Sequence, residues 1–196
     1  MRKVLLSVLP LLLSGTLLAQ PVSDNAVIPV AVTLNSILRL NIVSGGNIEF
    51  AVNTLDQYTN GIANSSAYDT KFTVASSIDF DVVLYAEDAD MAGSDVAGAT
   101  DVLSLDNIGY LMSEDGSGSP ATHWTLATSL AALTTSEAEI VASIASSGAG
   151  GIDKNSFIIN WEMGTGVAPM NTYTILQQSI PADRYATNVI LAVQEA

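Results

Sequence analysis

A chain of 196 residues with twenty acidic residues, six basic ones and no cysteine carries a formal net charge of −14. That excess repels nucleic acid and anionic membrane surfaces, and the missing cysteines exclude a disulfide framework. With a single histidine, neither a zinc site nor a Ser/His/Asp or Cys/His arrangement has its parts, so the chain is not expected to be an enzyme.

The first residues read as a leader. Arg2 and Lys3 precede an apolar run from Val4 to Leu18, interrupted by Ser7, Pro10, Ser14, Gly15 and Thr16, and Ala19 then stands before Gln20. This is the anatomy of a cleavable signal peptide over 1–19. Pro10 and Gly15 break the run, which is short for a membrane span. No cysteine follows it to carry a lipid. Export by the Sec route is expected, to the cell surface or the extracellular space, with the periplasm as the alternative, and no membrane insertion is expected after cleavage. Arg2 and Lys3 leave with the leader, so four basic residues face twenty acidic ones and the mature chain carries −16. Residues 20–196 are expected to form one domain, long enough to bury a core without staples.

The mature sequence reads as strands between Gly, Asn, Asp and Ser punctuation. Residues 26–34 (AVIPVAVTL) are apolar and β-branched, but Pro29 cannot donate to a ladder, which predicts an edge strand or an extended arm over 20–34. Residues 37–43 alternate, and Ser44-Gly45-Gly46-Asn47 precedes a second run at 48–52, which predicts a hairpin. Residues 55–62 predict a compact turn with Tyr58 and Ile62 inward. Strands are predicted at 71–75 and 80–86, the second with Phe80, Val82, Leu84 and Ala86 on one face. A loop follows over 87–100, then a strand pair or one bent strand over 102–111, then a flexible loop over 113–120. Residues 136–147 are ambiguous. Ser136 and Glu139 fit a capping box for a short helix, while Ala138, Ile140, Ala142 and Ile144 alternate as a strand, which is the preferred reading. Strands are predicted again at 156–162 and 185–193. Eight to ten short strands without a βαβ rhythm predict an all-β antiparallel sandwich.

Three clusters bear on function. Glu87, Asp88, Asp90, Asp95 and Asp101 could offer carboxylate oxygens to Ca2+, although Ala92 and Ala99 stand where an EF-hand loop needs ligands; no other cofactor is indicated. Trp124, after a Gly/Ser/Pro loop, is the candidate for a glycan contact, whereas Trp161 sits in an apolar strand and is expected in the core. The arm carries Val27, Ile28, Val30, Val32 and Leu34, which could pair with its own domain's edge or with a neighbouring subunit's.

Residues 53–62 (NTLDQYTNGI) followed by 72–77 (FTVASS), and the ending at 180–193 (IPADRYATNVILAV), resemble small secreted pilin-like β-sandwich proteins of Gram-negative bacteria, in which the last strand closes an immunoglobulin-like domain. Asp183-Arg184 stands where that family has a glycine-containing turn. The resemblance implies an immunoglobulin-like or pilin-like sandwich and a fibre, surface-layer or adhesion role, and carries over no functional residue. The expected function is a non-enzymatic structural subunit of an extracellular filament or cell-surface assembly, partnered by itself or by other surface proteins. The alternative is a soluble extracellular module binding Ca2+ or glycan. N-terminal mass analysis of the exported protein should find Gln20 first; an intact Met1 on it would defeat the leader assignment.

Overall fold

The computed structural model describes residues 26, 28–95, 101–115, 122–144 and 147–196. The segment predicted as a leader, 1–19, and Val27 lie outside these residues, as does most of the loop predicted at 113–120. The chain divides into two units, Met1–Leu34 and Asn35–Ala196. In the first, residues 28–34 form no strand and are exposed.

The second unit is antiparallel β, with twelve strands in three sheets among the described residues. In chain order these are β1 (Leu38–Ser44), β2 (Asp69–Ser76), β3 (Phe80–Ala86), β4 (Asp90–Gly93), β5 (Val102–Ser104) and β6 (Ile108–Glu114). Then come β7 (Trp124–Leu126), β8 (Ala131–Ala132), β9 (Ala138–Ser143), β10 (Ser156–Met163), β11 (Tyr185–Ala186) and β12 (Val189–Glu195). One sheet runs β1-β2-β10-β6-β8, a second β12-β3-β9-β7, and a small third β11-β4-β5. The fold is thus sandwich-like, with more and shorter strands than the eight to ten expected. Among the described residues no helix is long and apolar enough to cross a membrane.

Alternation decides which faces turn inward. Phe80, Val82, Leu84 and Ala86 of β3 are all buried, as are Phe72 and Val74 of β2 and Phe157, Ile159 and Trp161 of β10. The rings join the layers. Phe157 lies 5.2 Å from Phe72 and 5.3 Å, edge to face, from Trp124, which is 4.7 Å from Phe80. Trp161 is in the core as expected, and its Nε1 donates to Thr70 Oγ1 at 2.9 Å, so the burial leaves no orphaned donor.

Several expectations are corrected. The predicted hairpin does not form, because β1 pairs with β2, from Leu38↔Ser76 to Ile42↔Phe72. Gly45, at φ +68°, backs onto the Asp69 carbonyl so closely that a Cβ could not fit, and its own carbonyl accepts from Thr70 Oγ1 at 2.7 Å. The turn is thereby seated on the start of β2, and residues 48–52 leave without joining β1. The loop predicted at 87–100 contains β4, which is paired on both sides. Residues 102–111 are β5, a 3-10 turn (Leu105–Asn107) and β6, with Asn107 wholly buried. The run 185–193 is split between two sheets where Asn188 O accepts from Glu87 N.

Residues 138–143 are a strand, not the alternative helix, because both of its flanks are laddered, to β3 and to β7. A register shift against β3 lets Ile140 and Val141 both turn inward. The helices lie elsewhere, at α1 (Leu55–Asn60) and α2 (Ile175–Gln178), each opened by a complete capping box, Thr54 with Gln57 and Thr174 with Gln177. Residues 55–62 therefore hold a helix where a turn was predicted, though Tyr58 packs against the core and Ile62 bridges to Met163. Replacing Phe157 by Ala should cost about 3–5 kcal/mol, read as a lower urea midpoint at unchanged slope; a loss under about 1 kcal/mol would mean the ring cluster does not hold the layers.

Candidate functional site

Where the first two sheets end at β1 and β12, the second unit has an open cleft of about 840 Å3. Leu40 and Ile42 of β1 line it, together with Val189 and Leu191 of β12, while Ile159 and Trp161 of β10 form part of its lining from the core. Residues 47–52 form a strap along it. Ile48, Phe50 and Val52 are half-buried against the core, whereas Asn47, Glu49 and Ala51 are exposed, which is the period of a strand. Phe50 stacks on Tyr68 at 4.5 Å. Yet the strap belongs to no sheet, since Gly45 and Gly46 have turned the chain away from β1 before it begins.

The rim is polar and mostly acidic. Glu49 pairs with Arg184 at 3.6 Å, both side chains being more than half exposed, so the pair contributes little. Asp183 organises the turn before β11: its Oδ1 accepts from the Asp95 and Arg184 N–H groups, each at 2.7 Å. The phenol of Tyr185 donates to Pro181 O at 2.8 Å. Desolvation pushes that phenol above its ordinary range, helped by the negative charges of Asp101 and Asp183. Apolar walls, an extended strap and a charged rim equip this cleft to hold a chain or an apolar group by burial.

The five carboxylates of the candidate Ca2+ loop are distributed. Glu87 accepts from Asn188 Nδ2 at 2.6 Å and Asp88 from Thr187 Oγ1 at 3.2 Å, so both tie β3's end to the break between β11 and β12. Asp90 stands in β4 opposite Ser104. Asp95 and Asp101 flank residues outside the described set, and the backbone N–H of Asp95 and carbonyl of Asp101 make the bonds there. Among the described residues no three His, Asp or Glu side chains are grouped as a cation would need.

Trp124 is corrected from a glycan contact to a core residue. It opens β7, is 2% exposed, and packs against Phe80 and, edge to face, Phe157, so the ring is not accessible to a sugar. His123 beside it accepts at its backbone carbonyl from Ile144 N and Ser147 Oγ. In the arm, Ile28, Val30, Val32 and Leu34 are 81%, 84%, 77% and 90% exposed. Sequence reasoning missed the strap because 48–52 alternates like any strand; the two glycines before it were the signal that it need not return onto β1.

On the outer face, Asp115 accepts from Ser156 Oγ at 2.7 Å and lies 3.4 Å from Lys71 Nζ. The Ser156 hydrogen bond, with Lys71 adding to it against partial burial, holds the Asp115 carboxyl below its ordinary value of 3.8. A lowered folded-state pKa stabilises the fold above the unfolded value, and that contribution is lost as pH falls through the folded one. Asp115→Asn should therefore cost under about 1 kcal/mol at neutral pH, with the gap to the parent closing as pH falls below the ordinary carboxylate value of 3.8 in urea titrations. A gap that widens on acidification would reverse the sign. The chain matches no protein-family model, and no curated protein is significantly similar to it in sequence.

Proposed function

We propose that this protein is a non-enzymatic, exported structural subunit of an extracellular filament or cell-surface assembly, joined through the arm at residues 28–34. The observation that carries this reading is the exposure of Ile28, Val30, Val32 and Leu34, four large aliphatic side chains on alternate positions. Single exposed aliphatics are ordinary, but a run of four with strand period marks an interaction segment. Burying each is worth roughly 1.5–3 kcal/mol, so together they reach about the 4–15 kcal/mol that association costs. Backbone pairing then decides whether the contact holds. The leader at 1–19 and the net −16 of the mature chain fit a role outside the cytoplasm, and the likeness of 53–62, 72–77 and 180–193 to pilin-like, immunoglobulin-like proteins points the same way.

Deleting residues 20–34 behind an intact leader tests the reading. The mature full-length chain should form ordered polymers in electron micrographs, while the truncated one stays soluble, melts within a few degrees of the parent and forms none. A full-length protein that remains monomeric at high concentration, with a truncated form that unfolds, would end it.

A further inference from the structure

We infer that the cleft of the second unit is a binding site for an aliphatic cation, whose alkyl chain lies against the apolar walls and whose ammonium or guanidinium head sits at the acidic rim. This goes beyond the assembly reading and does not depend on it. At about 840 Å3 the cleft falls in the size range of sites that take up small ligands, roughly 300–1,000 Å3. Its walls are aliphatic where the sheets end, with Leu40 and Ile42 from β1 and Val189 and Leu191 from β12. Soluble domains rarely leave a concave apolar surface of this kind in water unless something binds there.

The polar groups decide which end of a ligand goes where. Thr70 and Trp161 are buried in the lining, and both are already bonded. Trp161 Nε1 donates to Thr70 Oγ1 at 2.9 Å, and Thr70 Oγ1 donates to Gly45 O at 2.7 Å. A polar ligand group lodged beside them would give up its bonds to water without replacement, so the inner part of the ligand is apolar. The rim has the opposite character. Glu49, Asp95 and Asp183 stand there against Arg184 alone, on a chain that is already strongly acidic. Tyr185, also in the lining, lies in the same negative field: desolvation raises its phenol, and Asp101 and Asp183 raise it further. A cationic head gains from this field, whereas a carboxylate, sulfate or phosphate head is repelled by it. The rings of Tyr58 and Tyr185 favour the same sign of charge, since aromatic faces attract cations.

Trp161 lines the cleft and Trp124 does not, so the two tryptophans make binding visible. The probes are dodecyltrimethylammonium and dodecanoate, each brominated at the chain end and kept below its micelle-forming concentration. They are offered to the chain from Gln20 to Ala196 at about 0.15 M salt, where only charges within about 8 Å act strongly. The bromine should quench Trp161 saturably in the parent and in Trp124→Phe, and Trp161→Phe should lose the quenching. The cation should bind about tenfold tighter than the carboxylate, and its hexyl counterpart about a hundredfold more weakly than the dodecyl form. Glu49→Gln combined with Asp95→Asn, both exposed positions, should remove most of the preference for the cation. Equal binding of the two charged probes, no dependence on chain length, or quenching that survives Trp161→Phe would overturn the site. So would the absence of saturable quenching, the result expected if a polypeptide fills the cleft instead. Polymers of the parent are scored separately in micrographs, so the site and the assembly reading can each fail without the other.

Discussion

Phe157 is the contact on which the fold turns. It lies on β10, the middle strand of the five-stranded sheet, and meets both Phe72 of the neighbouring strand and Trp124 of the opposite layer. Trp124 in turn rests on Phe80. These four rings are fully buried or nearly so and come from four different strands, β2, β3, β7 and β10. Burial of large apolar area is the main favourable term available to a chain without disulfides. Once the cluster forms, β2, β3, β7 and β10 are fixed at one spacing, and the remaining strands add to their edges. The cleft lies away from these rings, where the two sheets stop at β1 and β12.

The ends of the sandwich are held by polar groups in place of large side chains. Asn107, wholly buried, exchanges amide hydrogen bonds with Gln178 at 3.1 Å and 2.6 Å and so fastens α2 to the turn before β6. Gly61 and Gly164, both at positive φ, approach each other so closely that a side chain on Gly61 would meet the backbone of Gly164. These contacts fix α1 and α2 at one pole and hold the strap's far end through Thr54, so residues 47–52 are anchored at both ends while their backbone stays unladdered.

Charge shapes the rest of the surface. Of the four cations between residues 20 and 196, Lys71 and Arg184 each meet a carboxylate, and Lys154 donates to the carbonyls of Ser147 and Ala149. Twenty acidic groups share these few counter-charges, and the excess is tolerated because it lies mainly on exposed loops and edges, where water and salt screen it. Such a surface keeps copies apart except where a contact carries no charge. The arm is the longest uncharged exposed apolar stretch among the described residues, which ties its composition to the assembly proposed above.

Local pattern alone determined the all-β class, the inward face of β3, and the placement of Trp161 in the core. Each follows from a period of two, which is written into consecutive residues. The two helices were also legible, as T-x-x-Q at 54–57 and at 174–177, but the competing signal at 136–139 drew attention to a box that does not form. Tertiary structure decided what periodicity cannot express. Whether 138–143 became helix or strand depended on free ladder positions beside β3 and β7. Trp124 went to the core because Phe80 and Phe157 left a ring-sized space between the layers. The run at 48–52 became an unpaired strap because Gly45 docks on the start of β2, twenty-four residues further along the chain than the glycine itself. Those outcomes rest on contacts between residues distant in sequence, and one chain read alone holds the partners without saying which of them will meet.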